Sequence, residues 1–209
     1  MKKIILALFA VFAAFNTNAQ TPSEPMATYR DACVKLLTGI DNNFDTYDLG
    51  DALDLFKKVR ITEFSEADYN AVDSTTILNE TNPTILFVPE YADSLIRNHM
   101  LIDLDNISIM RKGEDYDVQI LHKGIKAGKT VCYQSAGQDF CELLVVGVSQ
   151  SKIKLTVTNL ENKEQYVGVL DRDGSISYTQ WIMPSVGGRF EFKIENETDK
   201  DVSIVIAVN

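Results

Sequence analysis

Apolar residues recur at intervals of three and four positions in the first part of the chain. In residues 23–40 this spacing, which is that of one face of an amphipathic helix, is formed by Met26, Tyr29, Cys33, Leu36, Leu37 and Ile40. After a short polar loop, a second stripe in residues 46–59 consists of Leu49, Ala52, Leu53, Phe56 and Val59. The spacing predicts two antiparallel helices, each with one apolar face that must pack against the rest of the chain.

From residue 60 onward, apolar and polar residues alternate, which is typical of half-buried strands. The clearest case is Ile153, Leu155 and Val157, which share one face. Segments with strand composition are residues 84–88, 99–104, 107–111, 117–122, 129–134, 140–148, 152–158, 165–170, 175–182, 189–195 and 201–208. Turn residues such as Lys123-Gly124 separate them. The pattern predicts a mostly β protein with N-terminal helices (α+β), in which a helical hairpin precedes an antiparallel β-sandwich or jelly roll.

Residues 1–19 have the three parts of a secretory signal peptide. Lys2-Lys3 precede an apolar run over residues 4–15, and Thr17-Asn18-Ala19 ends in a small residue suited to cleavage. An uncleaved membrane anchor is the alternative, but the run is shorter than the roughly 20 residues of a spanning helix. Cys33, the nearest cysteine, lies too far downstream to be the acylated residue of a lipoprotein. We therefore expect a soluble protein that is secreted or periplasmic.

Residues 126–209 resemble the pre-peptidase C-terminal (PPC-like) type of β-sandwich found in many secreted bacterial proteins. The residues that carry the resemblance are Ala127-Gly128-Lys129, Lys154-Leu155-Thr156-Val157, the turn Asp171-Arg172-Asp173-Gly174, and residues 187–196 with the apolar strand after them. In that family the module accompanies a peptidase and helps secretion or contacts substrate, so the resemblance implies a sandwich with a binding role. The chain is thus expected to divide into a signal peptide (1–19), a helical hairpin (20–60) and a β-sandwich (61–209).

Charge and motifs argue against several classes of function. The 209 residues include 20 Lys and Arg against 30 Asp and Glu, a net charge of -10, which argues against nucleic acid or an anionic membrane as partner. The sequence has no zinc-protease, nucleophile-elbow or phosphate-loop motif, and no later segment is apolar enough to span a membrane. We expect neither catalysis nor a cofactor. A hydrolase whose Ser, His and Asp residues converge only in space is the alternative.

Cys132 and Cys141 flank the turn residues Ala136-Gly137. If Ala136-Gly137 forms a two-residue hairpin turn, the two cysteines stand opposite each other as a non-hydrogen-bonded pair, with Cα atoms about 4.5 Å apart. That distance suits a disulfide, which the oxidising environment of an exported chain favours. Two reduced, buried cysteines are the alternative. Cys33 lies on the stripe of the first helix, so we expect it to be an inert core thiol.

Asp171 and Asp173 are the candidates for a calcium site. Carboxylates two positions apart in a turn can converge on a hard cation, and Gly174 permits a tight turn. A solvated turn without a metal is the alternative, because the later ligands of an EF-hand are missing. The two histidines, His99 and His122, have no second metal ligand at a recognisable spacing.

Trp181, the only tryptophan of the chain, offers a candidate binding surface. The apolar face of the predicted strand at residues 175–182 consists of Ile176, Tyr178 and Ile182. Trp181 falls on the opposite, polar face with Ser177 and Thr179. If the apolar face is the core, Trp181 points outward as part of a flat ligand platform, which Tyr166 would extend. The alternative is an indole tucked under a loop or under the helical hairpin, since large aromatics are mostly buried.

These observations favour an exported, non-enzymatic binding or interaction protein of the cell envelope, with a glycan or another envelope protein as ligand. A secreted hydrolase with an unrecognised site and a structural subunit of an envelope assembly are the alternatives. Coplanar exposed aromatics would favour the glycan, and a large apolar patch would favour assembly. Asn196-Glu197-Thr198 also matches the N-glycosylation acceptor.

Overall fold

The computed structural model of the protein describes residues 22–63, 69–71, 88–100, 117–135, 142–147, 152–171, 178–182 and 189–209, with the backbone alone at residues 63, 69–71, 99–100, 135, 170–171 and 178–182. The helices in this part are α1 (Glu24–Asp41), α2 (Thr46–Phe56) and α3 (Pro89–Met100). The strands are β1 (Ile61–Glu63), β2 (Tyr69–Ala71), β3 (Val118–Ile125), β4 (Thr130–Ser135), β5 (Glu142–Gly147), β6 (Lys152–Asn159), β7 (Gln165–Asp171), β8 (Tyr178–Ile182), β9 (Phe190–Asn196) and β10 (Val202–Val208).

Helices α1 and α2 form the hairpin that their apolar spacing predicts. Asp45 caps α2, because its carboxylate accepts hydrogen bonds from the backbone N–H groups of Tyr47 at 2.9 Å and Asp48 at 3.2 Å. Asn43 and Phe44 have positive φ angles of 58° and 62°, so the chain reverses within the short polar loop. The predicted stripes of both helices lie in one buried cluster.

Helix α3 extends into the first two residues of the strand predicted at 99–104. Val88, Ala92 and Ile96 are buried at intervals of four residues, which is a helical period, and α3 packs against α2. His99 and Met100 are the last residues of this helix, so the strand prediction for residues 99–104 is wrong at its start. The rest of that segment and the predicted strand at 107–111 lie outside the described residues.

The strands form two five-stranded sheets. Sheet A has the order β1-β3-β10-β5-β8, and sheet B has the order β2-β4-β9-β6-β7. From β3 to β10 the chain passes from one sheet to the other at every step except the hairpin of β6 and β7, and the pairs among these strands are antiparallel. This strand order is that of a jelly roll, which is one of the two architectures that the sequence pattern predicts.

The described part of the chain has three layers. One core lies between the helices and sheet A, where Ile120, Leu144 and Val205 are buried against the helices. A second core lies between the two sheets, where Tyr133 stacks on Phe192 with 5.2 Å between ring centroids. Because the central strands of sheet A contribute alternate residues to the two cores, both faces of that sheet are covered.

The structure corrects two predicted turns. Lys123-Gly124 is not a turn, since β3 continues through both residues to Ile125. The hairpin at Ala136-Gly137 is also wrong: β4 pairs with β2 and β9 in sheet B, whereas β5 pairs with β10 and β8 in sheet A. A short turn sequence indicates where the chain bends, but it does not determine which sheet the next strand joins.

Within the described residues, no helix combines the length and the apolar character needed to cross a bilayer.

Candidate functional site

The outer face of sheet B is the sheet face that the described layers leave uncovered. Strand alternation directs Val131, Leu155 and Ile194 into the core between the sheets, and it directs the residues between such positions outward. We call the outward surface the outer face. Its members, none of which is buried, are Thr130, Cys132, Gln134, Lys152, Lys154, Thr156, Thr158, Gln165, Val167, Val169, Glu191, Lys193 and Glu195.

The strand register arranges these side chains in rows across the sheet. One row runs from Gln134 through Glu191 and Thr158 to Gln165. Within it, the Gln134 amide Nε2 donates to Glu191 Oε2 at 2.9 Å, and Gln165 Nε2 donates to Thr158 Oγ1 at 3.3 Å. These cross-strand contacts hold the polar side chains along the surface.

The next row begins at Cys132 on β4 and continues through Lys193 and Thr156 to Val167 on β7. The register places Thr156 beside Lys193 on one side and beside Val167 on the other. Thr156 therefore lies near the middle of the outer face, with a charged neighbour and an apolar neighbour.

Positive and negative charges alternate on the outer face. Lys193 Nζ lies 2.8 Å from Glu195 Oε1, and Lys154 Nζ lies 3.7 Å from Glu195 Oε2. The hydrogen bond from Lys193 is the main reason that the pKa of Glu195 lies below its ordinary value. Glu195 therefore stays ionised at neutral pH, and the centre of the surface is polar without a strong excess of either charge.

The β7 side of the outer face is apolar. Val167 and Val169 are each 51% exposed, and they are among the few large apolar side chains that the described part of the chain leaves in water. Tyr166, the neighbour of Val167 in the sequence, lies on the inner face of sheet B and is 37% exposed. The outer face thus combines a polar centre with an apolar rim.

Of the four residues predicted to form a ligand platform, Tyr166 has a described side chain. Ser177 lies outside the described residues, and Thr179 and Trp181 have described backbone only. In the register of β5 and β8, Trp181 pairs with Leu143 and Thr179 pairs with Val145. Leu143 and Val145 are buried between the sheets. The exposure of Trp181 stays a prediction, but its strand position is on the face of sheet A that looks toward sheet B.

The predicted disulfide and calcium sites fall partly outside the described residues. Cys132 is half-buried on the outer face opposite Lys193, and Cys141 is not described. Since the hairpin that would place the two cysteines opposite each other is wrong, their bond stays a prediction without that support. Asp171 ends β7, and Asp173 is not described. Within the described residues, no cluster of three or more metal-ligating side chains occurs.

Glu142 and Asp93 are polar side chains outside the outer face that hydrogen-bond within the fold. Both carboxylate oxygens of Glu142 accept hydrogen bonds from Ser23, whose backbone N–H is at 2.5 Å and whose hydroxyl is at 2.8 Å. Asp93 Oδ2 accepts from Arg97 Nε on the same helix. Burial raises the pKa of the Cys33 thiol above its ordinary value, which agrees with the inert core thiol that its position on the stripe predicts.

Sequence patterns alone do not single out the outer face. The alternation in residues 152–158 and 189–195 identifies which residues are polar, but not which sheet lacks a covering layer. In β7, both sets of alternate residues are apolar, as Tyr166, Val167 and Val169 show. That departure from strict alternation is the available signal for an exposed apolar rim.

Comparison with known proteins identifies no relative by sequence. No protein-family model and no curated protein matches the chain. Among solved structures, the cupin domain of Drosophila melanogaster CENP-C aligns with a TM-score of 0.32 and 9% identity, over 43% of this chain and 56% of that one. Yersinia pseudotuberculosis-derived mitogen aligns with a TM-score of 0.34 and 15% identity, over 44% of this chain and 85% of that one.

A third structure, RmlC from Streptococcus suis in complex with dTDP-D-xylose, aligns with a TM-score of 0.33 and 14% identity, over 44% of this chain and 43% of that one. The chain thus spans little more than half of the CENP-C domain and less than half of RmlC. TM-scores of this size decide neither family nor function. The jelly-roll assignment rests on the order of the strands in the two sheets.

Proposed function

We propose that the protein is an exported, non-enzymatic binding protein of the cell envelope, and that it holds a protein partner on the outer face of sheet B. The observation that carries the proposal is the outer face, which none of the described layers covers, with its polar centre and the half-exposed Val167 and Val169 at its rim. Protein interfaces of the non-obligate kind have this mixed composition.

A protein partner fits the described outer face better than a glycan does. Flat glycan sites are built from aromatic rings that stack on the sugar, and none of the described side chains that point outward from sheet B is aromatic. Threonine, glutamine and paired charges, as at Thr156 and Glu195, suit hydrogen bonding to another protein surface. Export is proposed from the signal-peptide pattern of residues 1–19.

A substitution at the centre of the outer face tests this proposal. The purified protein is immobilised and exposed to an envelope extract, and the retained proteins are quantified by mass spectrometry for the wild type, Thr156→Arg and Tyr47→Arg. Tyr47 is 85% exposed on α2, so its variant is the matched control. We expect Thr156→Arg alone to reduce a specific captured protein roughly tenfold or more, as a bulky charge at an interface centre does. Equal capture by all three proteins would contradict the proposal.

A glycan bound at the β7 and β8 edges is the second candidate. Tyr166 pairs with Val157, which is buried between the sheets, and Trp181 pairs with Leu143 of the facing sheet. The position of Tyr166 is therefore on the face of sheet B that looks toward sheet A, and the position of Trp181 is on the opposing face of sheet A. Their strands, β7 and β8, lie next to each other. Acrylamide quenching of Trp181 fluorescence, repeated with a panel of polysaccharides, tests this candidate. Protection by one polysaccharide, lost in Tyr166→Ala, would favour it, and indifference to every polysaccharide would exclude it.

A further inference from the structure

β7 is the longest strand at an edge of either described sheet. β1 and β2 are edge strands of three residues each, β8 has five residues, and β7 has seven. β7 contains neither proline nor lysine, the residues that protect sheet edges against further pairing. β8 lies beside β7, but it forms no ladder with β7 in the described strands. An unprotected edge of this length is a template for another strand.

The ladder between β6 and β7 determines which backbone groups point to that edge. The Asn159 N–H donates to the Glu164 carbonyl at 2.9 Å, and the register continues in steps of one residue to the pair Lys152 and Asp171. Because hydrogen-bonded pairs alternate in an antiparallel ladder, residues 164, 166, 168 and 170 direct their backbone groups toward β6. Residues 165, 167, 169 and 171 direct theirs away from it.

The exposure of the side chains along β7 indicates that none of the described strands covers this edge. Tyr166 lies on the inner face of sheet B, because it pairs with the buried Val157. An inward residue of a closed sandwich would be buried, yet Tyr166 is 37% exposed. Val167 and Val169, on the outer face, are also half-exposed. A strand added along this edge would cover parts of all three side chains.

Two valines, Val167 and Val169, flank Gly168, the middle residue of β7. When two copies are aligned antiparallel about Gly168, Val167 of one copy stands opposite Val169 of the other, and Gln165 stands opposite Asp171. The odd-numbered residues, whose backbone groups point away from β6, then pair only with each other. Each N–H that points away from β6 therefore meets a carbonyl of the other copy, and each such carbonyl meets an N–H. A shift of the alignment by one residue would place odd-numbered residues opposite even-numbered ones, whose backbone groups point toward β6.

We propose that a second copy of this chain pairs with β7 about a two-fold axis at Gly168, which joins two five-stranded sheets into one. This dimer goes beyond the proposed function and does not depend on it. The protein partner covers the centre of the outer face around Thr156, whereas the second copy pairs with the edge of the sheet and overlaps that face only at Val167 and Val169.

Proline at position 169 tests the pairing. Val169→Pro removes an N–H that points to the free edge and leaves the ladder with β6 intact, and proline is tolerated at such edge positions. Val169→Thr keeps the N–H and is the matched control. In sedimentation equilibrium, we expect the wild type and Val169→Thr to form dimers and Val169→Pro to raise the dimer dissociation constant roughly tenfold or more. A monomeric wild type at about 100 μM, or a Val169→Pro dimer as stable as the control, would overturn the proposal.

A charge exchange covers the case in which Val169→Pro fails to fold. One variant carries Val167→Lys and Val169→Lys, and the other carries Val167→Glu and Val169→Glu. In each variant, like charges face each other across the two-fold axis, so each variant alone is expected to be monomeric. A mixture of the two variants brings opposite charges together and is expected to form a heterodimer. Homodimers of either variant, or a mixture that stays monomeric, would overturn the pairing. If the wild type does not dimerise but capture from envelope extract still depends on Thr156, the dimer proposal is wrong and the proposed function is unaffected.

Discussion

Asn196 is a buried polar side chain that joins several segments of the described sandwich. It is 2% exposed, and its Nδ2 donates to the carbonyl groups of Ile125 and Lys126, both at 3.1 Å, and of Lys200 at 2.7 Å. Its Oδ1 accepts from the Thr198 hydroxyl at 2.6 Å. The residues that match an N-glycosylation acceptor therefore form a structural turn in which the Asn196 amide nitrogen is engaged by hydrogen bonds.

Replacing Asn196 is expected to destabilise the protein strongly. Asn196→Ala removes the donor to the buried Ile125 carbonyl and to two part-buried carbonyls, which costs about 2 to 3 kcal/mol in the free energy of unfolding. Asn42→Ala, at an exposed residue after α1, is the control and should change it by less than about 0.5 kcal/mol. Urea denaturation measures both values. Similar losses in the two variants would show that Asn196 does not have this role.

The ion pair of Arg60 and Asp117 is expected to make stability depend on pH. Arg60 Nη2 lies 2.8 Å from Asp117 Oδ1, and hydrogen bonding from Arg60 holds the pKa of Asp117 below its ordinary value. A carboxyl whose pKa is lower in the folded state stabilises the fold above its unfolded pKa and loses that effect as the pH falls through the folded value. Asp117→Asn should therefore lower Tm at pH 7, and the difference from wild type should shrink below about pH 4. Thermal unfolding at a series of pH values measures this, and a difference that is constant down to about pH 2 would contradict the account.

At the scale of elements, Gly39 permits the close approach of α1 to α2. A Cβ atom at Gly39 would lie 2.9 Å from Leu49 Cδ2 and 3.1 Å from the Leu49 backbone nitrogen. Gly50 lies on α2 itself, and a Cβ atom there would have no neighbour within 4 Å. The hairpin therefore requires glycine at one of these two helical positions and not at the other.

Alanine substitutions at the two glycines are expected to change the free energy of unfolding in opposite directions. Gly39→Ala should lower the free energy of unfolding by about 1 to 3 kcal/mol, because α1 and α2 must move apart. Gly50→Ala should raise it by about 0.5 to 1 kcal/mol, since alanine has the higher helix propensity and fits without contact. Thermal unfolding followed by circular dichroism measures both. A stabilising Gly39→Ala would show that the helices are less closely packed than described.

The spacing of apolar residues predicts where helices and strands lie better than it predicts which strands pair with each other. The stripes of α1 and α2 and the alternation in β6, β9 and β10 are local properties of the chain, so these elements can be identified from the sequence. The turn predicted at Gly124 is wrong because a glycine inside a strand has the same local signature as a glycine in a turn. The separation of β4 from β5 depends on contacts with β9 and β10, which are distant in the sequence and have no local signal.

The candidate site is predictable only in part for the same reason. Tyr166 is expected from the sequence to contribute to a binding surface; it is 37% exposed, and its role in binding stays a prediction. The uncovered face itself depends on the helices covering sheet A rather than sheet B, which is a property of the assembled molecule. Thr156 and Lys193 therefore appear in the sequence as ordinary outward residues of amphipathic strands.

At the scale of the whole molecule, Glu142 connects the helical layer to the jelly roll. It is 3% exposed, and it accepts hydrogen bonds from Ser23 at the start of α1. The Asn209 side chain donates to the Ser23 hydroxyl at 2.8 Å, so residues near both ends of the described chain meet at β5. This contact helps to hold the helices on sheet A, and sheet B is left uncovered by them.

Removing the charge of Glu142 is expected to weaken that connection. Glu142→Gln removes the charge that strengthens both hydrogen bonds from Ser23, which should lower the free energy of unfolding by about 1.5 to 3 kcal/mol. Glu191→Gln, on the outer face, is the control and should change it by less than about 0.5 kcal/mol. Chemical denaturation compares the two. Equal effects would show that the Ser23 contact contributes little.

Site-specific photo-crosslinking in envelope extract tests whether a protein partner binds the outer face. A benzoylphenylalanine residue replaces Thr156 at the centre of the outer face, or Tyr47 on the exposed side of α2. We expect one discrete crosslinked species from position 156 and none from position 47. Crosslinks from position 47 alone, or no crosslink from position 156, would show that no protein partner binds the outer face.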